Sequence, residues 1–333
     1  MTIQTSAVKK SYIIGIDIGG TDIKAGLFNK HADIIEWTKT ASRVKKGKQT
    51  VIAKIVQIVE EFEEKHSNII PVIGIAIAGI IDKKRGIVVH SPNLLNLDNF
   101  QIKEELEKTL KKSVIIENDA NAAALGELWK GNGRGLKNFM LLTLGTGLGS
   151  GLVLDGELWT GEDGIAAEFG HTKIVPDGIK CDCGAKGCLE MYFSSKAIAR
   201  IVKRILKKET KTVLNSFPAK DAISPKTVYN AASNGDEAAI GVYREISKYL
   251  GIAIANVINF LGIKHFILSG GISNAFNIFI PFLDNRVSKN LFYPFRTDFN
   301  IVKAKLGNRA GATGAACLVL QHVNRNNSKK VIK

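Results

Sequence analysis

Tyr12-Ile-Ile-Gly-Ile-Asp-Ile-Gly-Gly-Thr-Asp-Ile-Lys-Ala-Gly-Leu-Phe-Asn29 is the stretch on which the fold turns. Tyr12–Ile18 is an apolar run of strand length, and Ile23–Asn29 reads as a second strand after a Gly19-Gly20 turn. Asp17-Ile-Gly-Gly-Thr21 offers what a polyphosphate needs. Glycines allow close backbone approach, and successive amides with the Thr21 hydroxyl can donate to phosphate oxygens. Asp17, at the strand end, could hold Mg²⁺ through water. Taken alone, the same residues also read as a plain glycine hairpin.

The device recurs. Phe139–Leu144 reads as a strand, Gly145-Thr-Gly-Leu-Gly-Ser-Gly151 follows, and Gly151–Leu154 is again strand-like. Ser150 and Leu152 break the G-x-G-x-x-G dinucleotide pattern, and the run feeds a strand where that motif would open a helix. No G-x-x-x-x-G-K-[ST] loop is present. A glycine hairpin presenting amides and Thr146 to phosphate fits better. A third glycine pair, Gly270-Gly271, follows a strand at His265–Ser269 and would let an adenine or ribose lie against bare backbone.

Between these turns the periodicity predicts helices over Thr50–Glu64, Phe100–Lys112, Ala120–Trp129, Ser195–Lys208, Glu237–Leu261 and Gly314–His322. Strands are predicted at Val72–Ala78, Val114–Glu117 and Asn300–Ala304. The two cycles suggest a duplicated α/β architecture with both turns facing one cleft. The expected domains are 1–118 and 119–311, with a C-terminal helix of about 312–333 packing back on the first and a polar tail, Asn324–Lys333, fraying at its end.

Bulk properties narrow the class. The chain has 333 residues, 45% hydrophobic and 23% charged, ordinary for a globular protein with a large core. Asp17 interrupts the first apolar run, which argues against a signal peptide, and no run approaches the roughly 20 apolar residues of a membrane span. The cytoplasm is the expected compartment. A net charge of +15 invites a nucleic-acid reading. The lysines are scattered along helix-like segments without a recognition motif, so no nucleic-acid or membrane partner is expected.

Cys181-Asp-Cys-Gly-Ala-Lys-Gly-Cys188 packs three thiols into eight residues, ten positions after His171. Three thiolates and one imidazole make a closed tetrahedral zinc set, structural because no position stays open. The alternative is a trio of reduced thiols. Cys317, in Ala315-Ala-Cys-Leu-Val-Leu320, reads as a small core residue.

Glu117-Asn-Asp119 ends a strand and opens a helix, so Asp119 could simply cap that helix. It also lies at the carboxyl end of a strand, where α/β proteins place ligands. Glu168-Phe-Gly-His171 abuts the cysteine loop and Glu190 follows it. Acceptors at this density suit a polyhydroxylated ligand.

With these motifs together, the chain from about Tyr12 to His322 resembles the repressor, open-reading-frame and sugar-kinase (ROK) family. The resemblance implies an actin-like (ribonuclease H-like) duplicated ATPase fold with two domains around a cleft. It implies ATP-dependent phosphorylation of a hexose hydroxyl, with glucose giving glucose 6-phosphate as the first expectation. N-acetylmannosamine, N-acetylglucosamine, mannose, fructose and allose remain open. Asp119 would be the general base. Gly79, Asn93, Asn118, Asp119, Glu168, His171 and Glu190 would bind sugar. Asp17, Gly19, Gly20, Thr21 and Lys24, with Gly145, Thr146 and Gly147, would hold the ATP phosphates and Mg²⁺, and Gly270 and Gly271 would border the adenosine. His171, Cys181, Cys183 and Cys188 would hold Zn²⁺, and a homodimer is usual for the resemblance.

The chain departs from the family pattern twice. Leu95-Asn-Leu-Asp98, after Ser91-Pro-Asn-Leu94, lacks a Pro-Gly-Trp at the sugar-contact loop, and Ala167 stands where glycine is usual. The rival within the family is a sugar-responsive transcriptional regulator. Sixteen residues precede Asp17, too few for a helix-turn-helix module, so a regulator is not expected.

Overall fold

The computed structural model describes residues 11–91, 94–208, 211–217, 224–292 and 297–331. Its first sheet has the order β3-β2-β1-β4-β7, from β1 (Tyr12–Ile18), β2 (Asp22–Phe28), β3 (Ile34–Ala41), β4 (Ile69–Ile77) and β7 (Ser113–Asn118). β1 is antiparallel to β2 and parallel to β4, and β4 is parallel to β7. Ile13, Ile14, Ile16 and Ile18 are all buried, because both faces of β1 are covered. That is why the run is continuous and does not alternate. β5 (Ile80–Asp82) and β6 (Ile87–His90) form a separate hairpin.

The second sheet repeats the plan in the order β10-β9-β8-β11-β12, from β8 (Phe139–Leu144), β9 (Leu148–Leu154), β10 (Glu157–Trp159), β11 (His265–Ser269) and β12 (Asn300–Lys303). β11 is parallel to both β8 and β12. In each sheet the first strand of a meander adjoins two parallel strands. This is the actin-like ATPase arrangement.

The helices are α1 (Lys48–Lys65), α2 (Ile102–Leu110), α3 (Asp119–Lys130), α4 (Ser195–Leu206), α5 (Pro225–Ser233), α6 (Glu237–Leu261), α7 (Phe276–Asn290) and α8 (Ala310–Val331). α1 buries Val51, Ile52, Ile55, Ile58, Val59 and Phe62, one apolar stripe against the first sheet. α5 and α7 have no counterpart among the expected helices. α5 starts at Ser224 with a capping box to Thr227 and Pro225 in the first turn, and α7 carries Pro281 inside the helix, a residue that sequence reading treats as a breaker. α8 runs helical through most of the polar tail to Val331, and the tail's last two residues, where fraying is expected, lie outside the described residues. Among the described residues, no helix is long and apolar enough to cross a membrane.

The chain divides into two units, one of Met1–Lys137, Gly151–Ala167 and Lys305–Lys333, the other of Asn138–Ser150 and Glu168–Ala304. This grouping differs from a boundary near Asn118, because α3 lies directly against α8 in the first unit. The contact needs bare backbone. A Cβ on Gly314 would lie 1.6 Å from the Ala122 carbonyl oxygen, and one on Gly74 of β4 would lie 1.9 Å from that of Ala315. Gly74→Ala should therefore force α8 off the sheet and lower unfolding stability by about 1–3 kcal/mol, the usual cost of overpacking. Chemical denaturation of the purified variant measures this.

Candidate active site

In the first unit, one row of the sheet carries the charge. Lys24, Asp17, Ala76 and Glu117 are register partners across β2, β1, β4 and β7. Register partners project to the same face, so the Asp17 and Glu117 carboxylates share a face with only Ala76 between them. Lys24 Nζ donates to Asp17 Oδ2 at 3.3 Å. Burial raises the Asp17 pKa above its ordinary value, and Lys24 partly opposes the rise. Gly311, in the first turn of α8, abuts this carboxylate, since a Cβ there would lie 2.8 Å from Asp17 Cγ. The positive end of the helix thus faces the acid.

The glycine turn after Asp17 folds on itself. The Gly19 N–H donates to the Asp22 carbonyl at 2.9 Å and the Gly20 carbonyl accepts from Ser42 Oγ at 2.8 Å, while the Thr21 side chain is exposed. The amide of Gly19 is engaged within the turn, contrary to a reading in which every turn amide faces phosphate.

At the end of β7, the helix cap is Asn118 and not Asp119. Asn118 has extended backbone, and its Oδ1 accepts from the N–H groups of Ala120 at 2.9 Å and Asn121 at 3.1 Å. Its Nδ2 donates to the Gly79 carbonyl at 2.9 Å. Gly79 has φ +131°, and a Cβ would lie 2.5 Å from the His90 carbonyl oxygen, so only glycine fits there. Asp119, relieved of capping, accepts one hydrogen bond from Ala120 N–H at 2.9 Å. Burial first, then the charge of Asp17, pushes its pKa up to about 7, with backbone donors and Lys24 opposing. Such a carboxyl exchanges a proton near neutrality. Asn93 lies outside the described residues.

The second unit holds the other candidates. The Gly145 N–H donates to the Gly147 carbonyl at 3.0 Å, and the Gly145 carbonyl accepts from Ser195 Oγ at 2.9 Å. Thr146 is exposed at the tip. Glu190 Oε2 accepts from Leu148 N–H at 3.0 Å, and a Cβ on Gly147 would lie 2.2 Å from it. Glu190 therefore braces the glycine hairpin, a contact that sequence reading did not anticipate. Burial raises the Glu168 pKa, with His171 lowering and Glu190 raising it, so the three are neighbours. Gly270 has φ +87° and backs onto Leu144, where a Cβ would lie 2.5 Å from the carbonyl oxygen, while Gly271 has open space at its Cα.

His171, Cys181, Cys183 and Cys188 come together with all ligand atoms within 4.8 Å of one another. Cys183 and Cys188 sulfurs are 3.6 Å apart, and Cys181 Sγ is 3.8 Å from His171 Nδ1. A tetrahedral zinc with bonds of about 2.3 Å to sulfur places ligands about 3.8 Å apart, so the set fits the ion. Lys173 Nζ donates to Cys188 Sγ at 3.0 Å, adding a positive charge beside the thiols. Cys317 is buried in α8, and burial pushes its thiol up to about 12.

Ala167, just before Glu168, has φ +67°. That conformation explains why glycine is usual at the position, and it costs a non-glycine residue about 1–2 kcal/mol. Lys83, Asn121 and Lys173 escaped sequence reading. Asn121, four residues after Glu117, was the one signal available, an uncharged polar side chain in an alanine-rich helix.

Comparison with known proteins gives one family, which includes sugar kinases and, at 26–29% identity, transcriptional repressors. The ROK family model matches residues 13–322. The glucokinase of Thermotoga maritima is 36% identical over 315 residues, covering 94% of this chain and 99% of that one. The glucokinase of Halalkalibacterium halodurans is 34% identical, covering 94% and 96%. The crystal structure of a ROK family glucokinase from Streptomyces griseus in complex with glucose and AMPPNP superposes with a TM-score of 0.79 at 33% identity, covering 92% of this chain and 99% of that one.

The raised pKa of Asp119 has a stability consequence of definite sign. Its folded value of about 7 lies above the ordinary 3.8, so folding favours the protonated acid. That contribution is complete below about pH 3.8 and is lost as pH rises to about 7. Asp119→Asn mimics the neutral acid. It should therefore match the parent at pH 4 and exceed it at pH 8 by about 2–4 kcal/mol, at 1.36 kcal/mol per pKa unit discounted for partial solvent access. Denaturant unfolding at the two pH values reads the difference.

Proposed function

The chain belongs to the ROK family, and from that premise we propose that it is an ATP-dependent hexose kinase converting glucose to glucose 6-phosphate. The observation that carries the reading is Asp119, freed from capping by Asn118 and titrating near neutrality beside Asp17 and Lys24. The glucokinases at 34% and 36% identity support glucose as the substrate, and the Streptomyces complex with AMPPNP supports ATP as the donor.

In this reading Asp119 accepts the proton of the sugar hydroxyl as that oxygen attacks the γ-phosphorus of ATP. The bond from the γ-phosphorus to the bridging oxygen breaks, and ADP leaves with that oxygen. Asn118, through its hold on Gly79, keeps the turn fixed so that Asp119 need not reorganise. Asn93, Glu168, His171 and Glu190 are assigned to sugar hydroxyls. Gly20, Thr21, Lys24, Thr146 and Gly147 are assigned to phosphate, with Gly19 and Gly145 closing the two turns through their own amides, and Gly270 and Gly271 are assigned to adenosine.

Asp17 suits a hydrated Mg²⁺, being a buried carboxylate whose cationic partner stands at 3.3 Å, looser than a tight pair. Bound there, the ion would neutralise phosphate charge. The cysteine–histidine set would hold a structural zinc, whose contribution is to fix the loop that carries His171 and Glu190. Homodimeric assembly and residence in the cytoplasm belong to the same reading and rest on the family relationship.

Coupled ADP release with Mg-ATP across glucose, mannose, fructose, allose and the two N-acetylhexosamines tests the assignment. Glucose should turn over, and Asp119→Asn should lose at least about 10³-fold in kcat while still binding glucose, as expected for a general base with a positioning role. Full turnover by that variant would refute the assignment. Chelation of zinc, or Cys181→Ser, should lower Tm and weaken glucose binding together. An unchanged Tm after verified metal removal would sink the zinc reading.

A further inference from the structure

Glu117 is a buried carboxylate, 3% exposed, with no part in the reaction described above. Its Oε1 accepts from the backbone N–H of Asn118 at 2.9 Å and from Asn121 Nδ2 at 3.1 Å. Its Oε2 accepts from Lys83 Nζ at 2.9 Å. Lys83 arrives from the turn between β5 and β6, where a Cβ on Gly164 would press within 3.1 Å of its Cε. One carboxylate therefore ties together the strand end, the first turn of α3 and a separate hairpin.

Two features resist a purely structural explanation. Burying the Glu117 carboxylate carries a desolvation cost that Lys83, itself 30% exposed, offsets only in part, and apolar residues of like volume do as well. Asn121 also keeps its Oδ1 buried with no hydrogen-bond partner, while its Nδ2 is committed to Glu117. An orphaned buried acceptor is an unfavourable feature that calls for a reason. Glu117, Asn118 and Asp119 are consecutive, and Glu117 fixes the peptide N–H that immediately precedes the Asn118 cap.

We propose that Glu117 is a positioning residue for the transfer reaction, holding the turn between β7 and α3 through Asn118 and Asn121, with Lys83 as the counter-charge that lets it remain buried there. The proposal rests on Asp119 being the base. The role is geometric. The charged groups that face Asp119 are Asp17 of β1 and Lys24 of β2, and these, with burial, set its proton affinity. Lys83 faces Glu117 from the hairpin turn.

The test compares paired substitutions in the full chain by steady-state kinetics over pH 5.5–9. Glu117→Leu with Lys83→Met removes both charges and the acceptor together. It should lower kcat about 10²-fold, the cost of a base displaced by about an ångström, with the KM for sugar within threefold of the parent. The acid limb of kcat/KM should stay where the parent has it. Glu117→Gln with Lys83→Met keeps a neutral acceptor for the Asn118 N–H and should recover kcat to within about fivefold.

Parent-like kcat in the Leu/Met pair, with Asp119→Asn inactive, would overturn the positioning role and leave the base assignment standing. No recovery in the Gln/Met pair, with circular dichroism and Tm like the parent, would overturn the geometric reading of the role. Parent-like turnover in Asp119→Asn would overturn both.

Discussion

Three carboxylates stand at the strand ends of the first unit, and keeping them there is the constraint that shapes the surroundings. Asp17 and Glu117 share one row of the sheet, and Asp119 feels the charge of Asp17. Left alone, such a group would protonate throughout or drive the strands apart. The structure answers each acid differently. Asp17 has Lys24 and the N-terminal turn of α8. Glu117 has Lys83, the Asn118 amide and Asn121. Asp119 has backbone donors, Ala120 N–H among them, and its cationic neighbour Lys24 is already paired with Asp17. Burial and the charge of Asp17 leave Asp119 titrating near 7. A site with three equally well-compensated acids would hold a metal but would not move a proton at neutral pH.

The second constraint is closeness. α8 approaches β1 and β4 so tightly that Gly15 and Gly74 have no room for a Cβ, and α3 meets α8 through Gly126 and Gly314. Ala76, Ala122 and Ala315 complete the contact. Because α8 begins beside Asp17 and α3 begins at Asp119, this packing of small residues also sets where the two helix N-termini sit relative to the acids. Stability and electrostatics are thus coupled through the same few glycines and alanines.

The cysteine–histidine loop of the second unit works by another principle. Cys181 and Cys188 pack in a small apolar cluster with Met191, Tyr192, Ile174, Val175 and Ile179, and the four candidate ligand atoms within 4.8 Å of one another lie at its edge. Glu190 leaves this loop to brace the Gly145–Gly147 hairpin, and Glu168 enters it from the left-handed Ala167. The cysteine–histidine set, the Gly145–Gly147 turn and the Glu168–Glu190 carboxylates are in this way linked by direct contacts within one unit.

What the sequence determined by itself is local or chemically specific. β1, β8, β11 and α6 fall at the residues that periodicity marked, because a strand buried on both faces or a long amphipathic helix writes its pattern into consecutive residues. The cysteine–histidine set was legible from ligand type and spacing, and the strand–glycine-turn–strand repeat pointed to the duplicated fold. Tertiary structure decided what depends on partners distant in the chain. β3, β5, β6, β10 and α5 are short or carry mixed patterns that do not stand out, and Pro281 conceals the apolar helix α7 that its packing sustains. The residues around Asp119 alone read as cap or base, and the family resemblance named it the base. Only the backbone path at Asn118 gave the cap to its neighbour and left Asp119 to titrate. Lys83 reaches Glu117 across 34 residues, and no spacing rule encodes such a pair. A contact of that kind exists only because the sheet register brings its partners to one place, and register is a property of the folded chain.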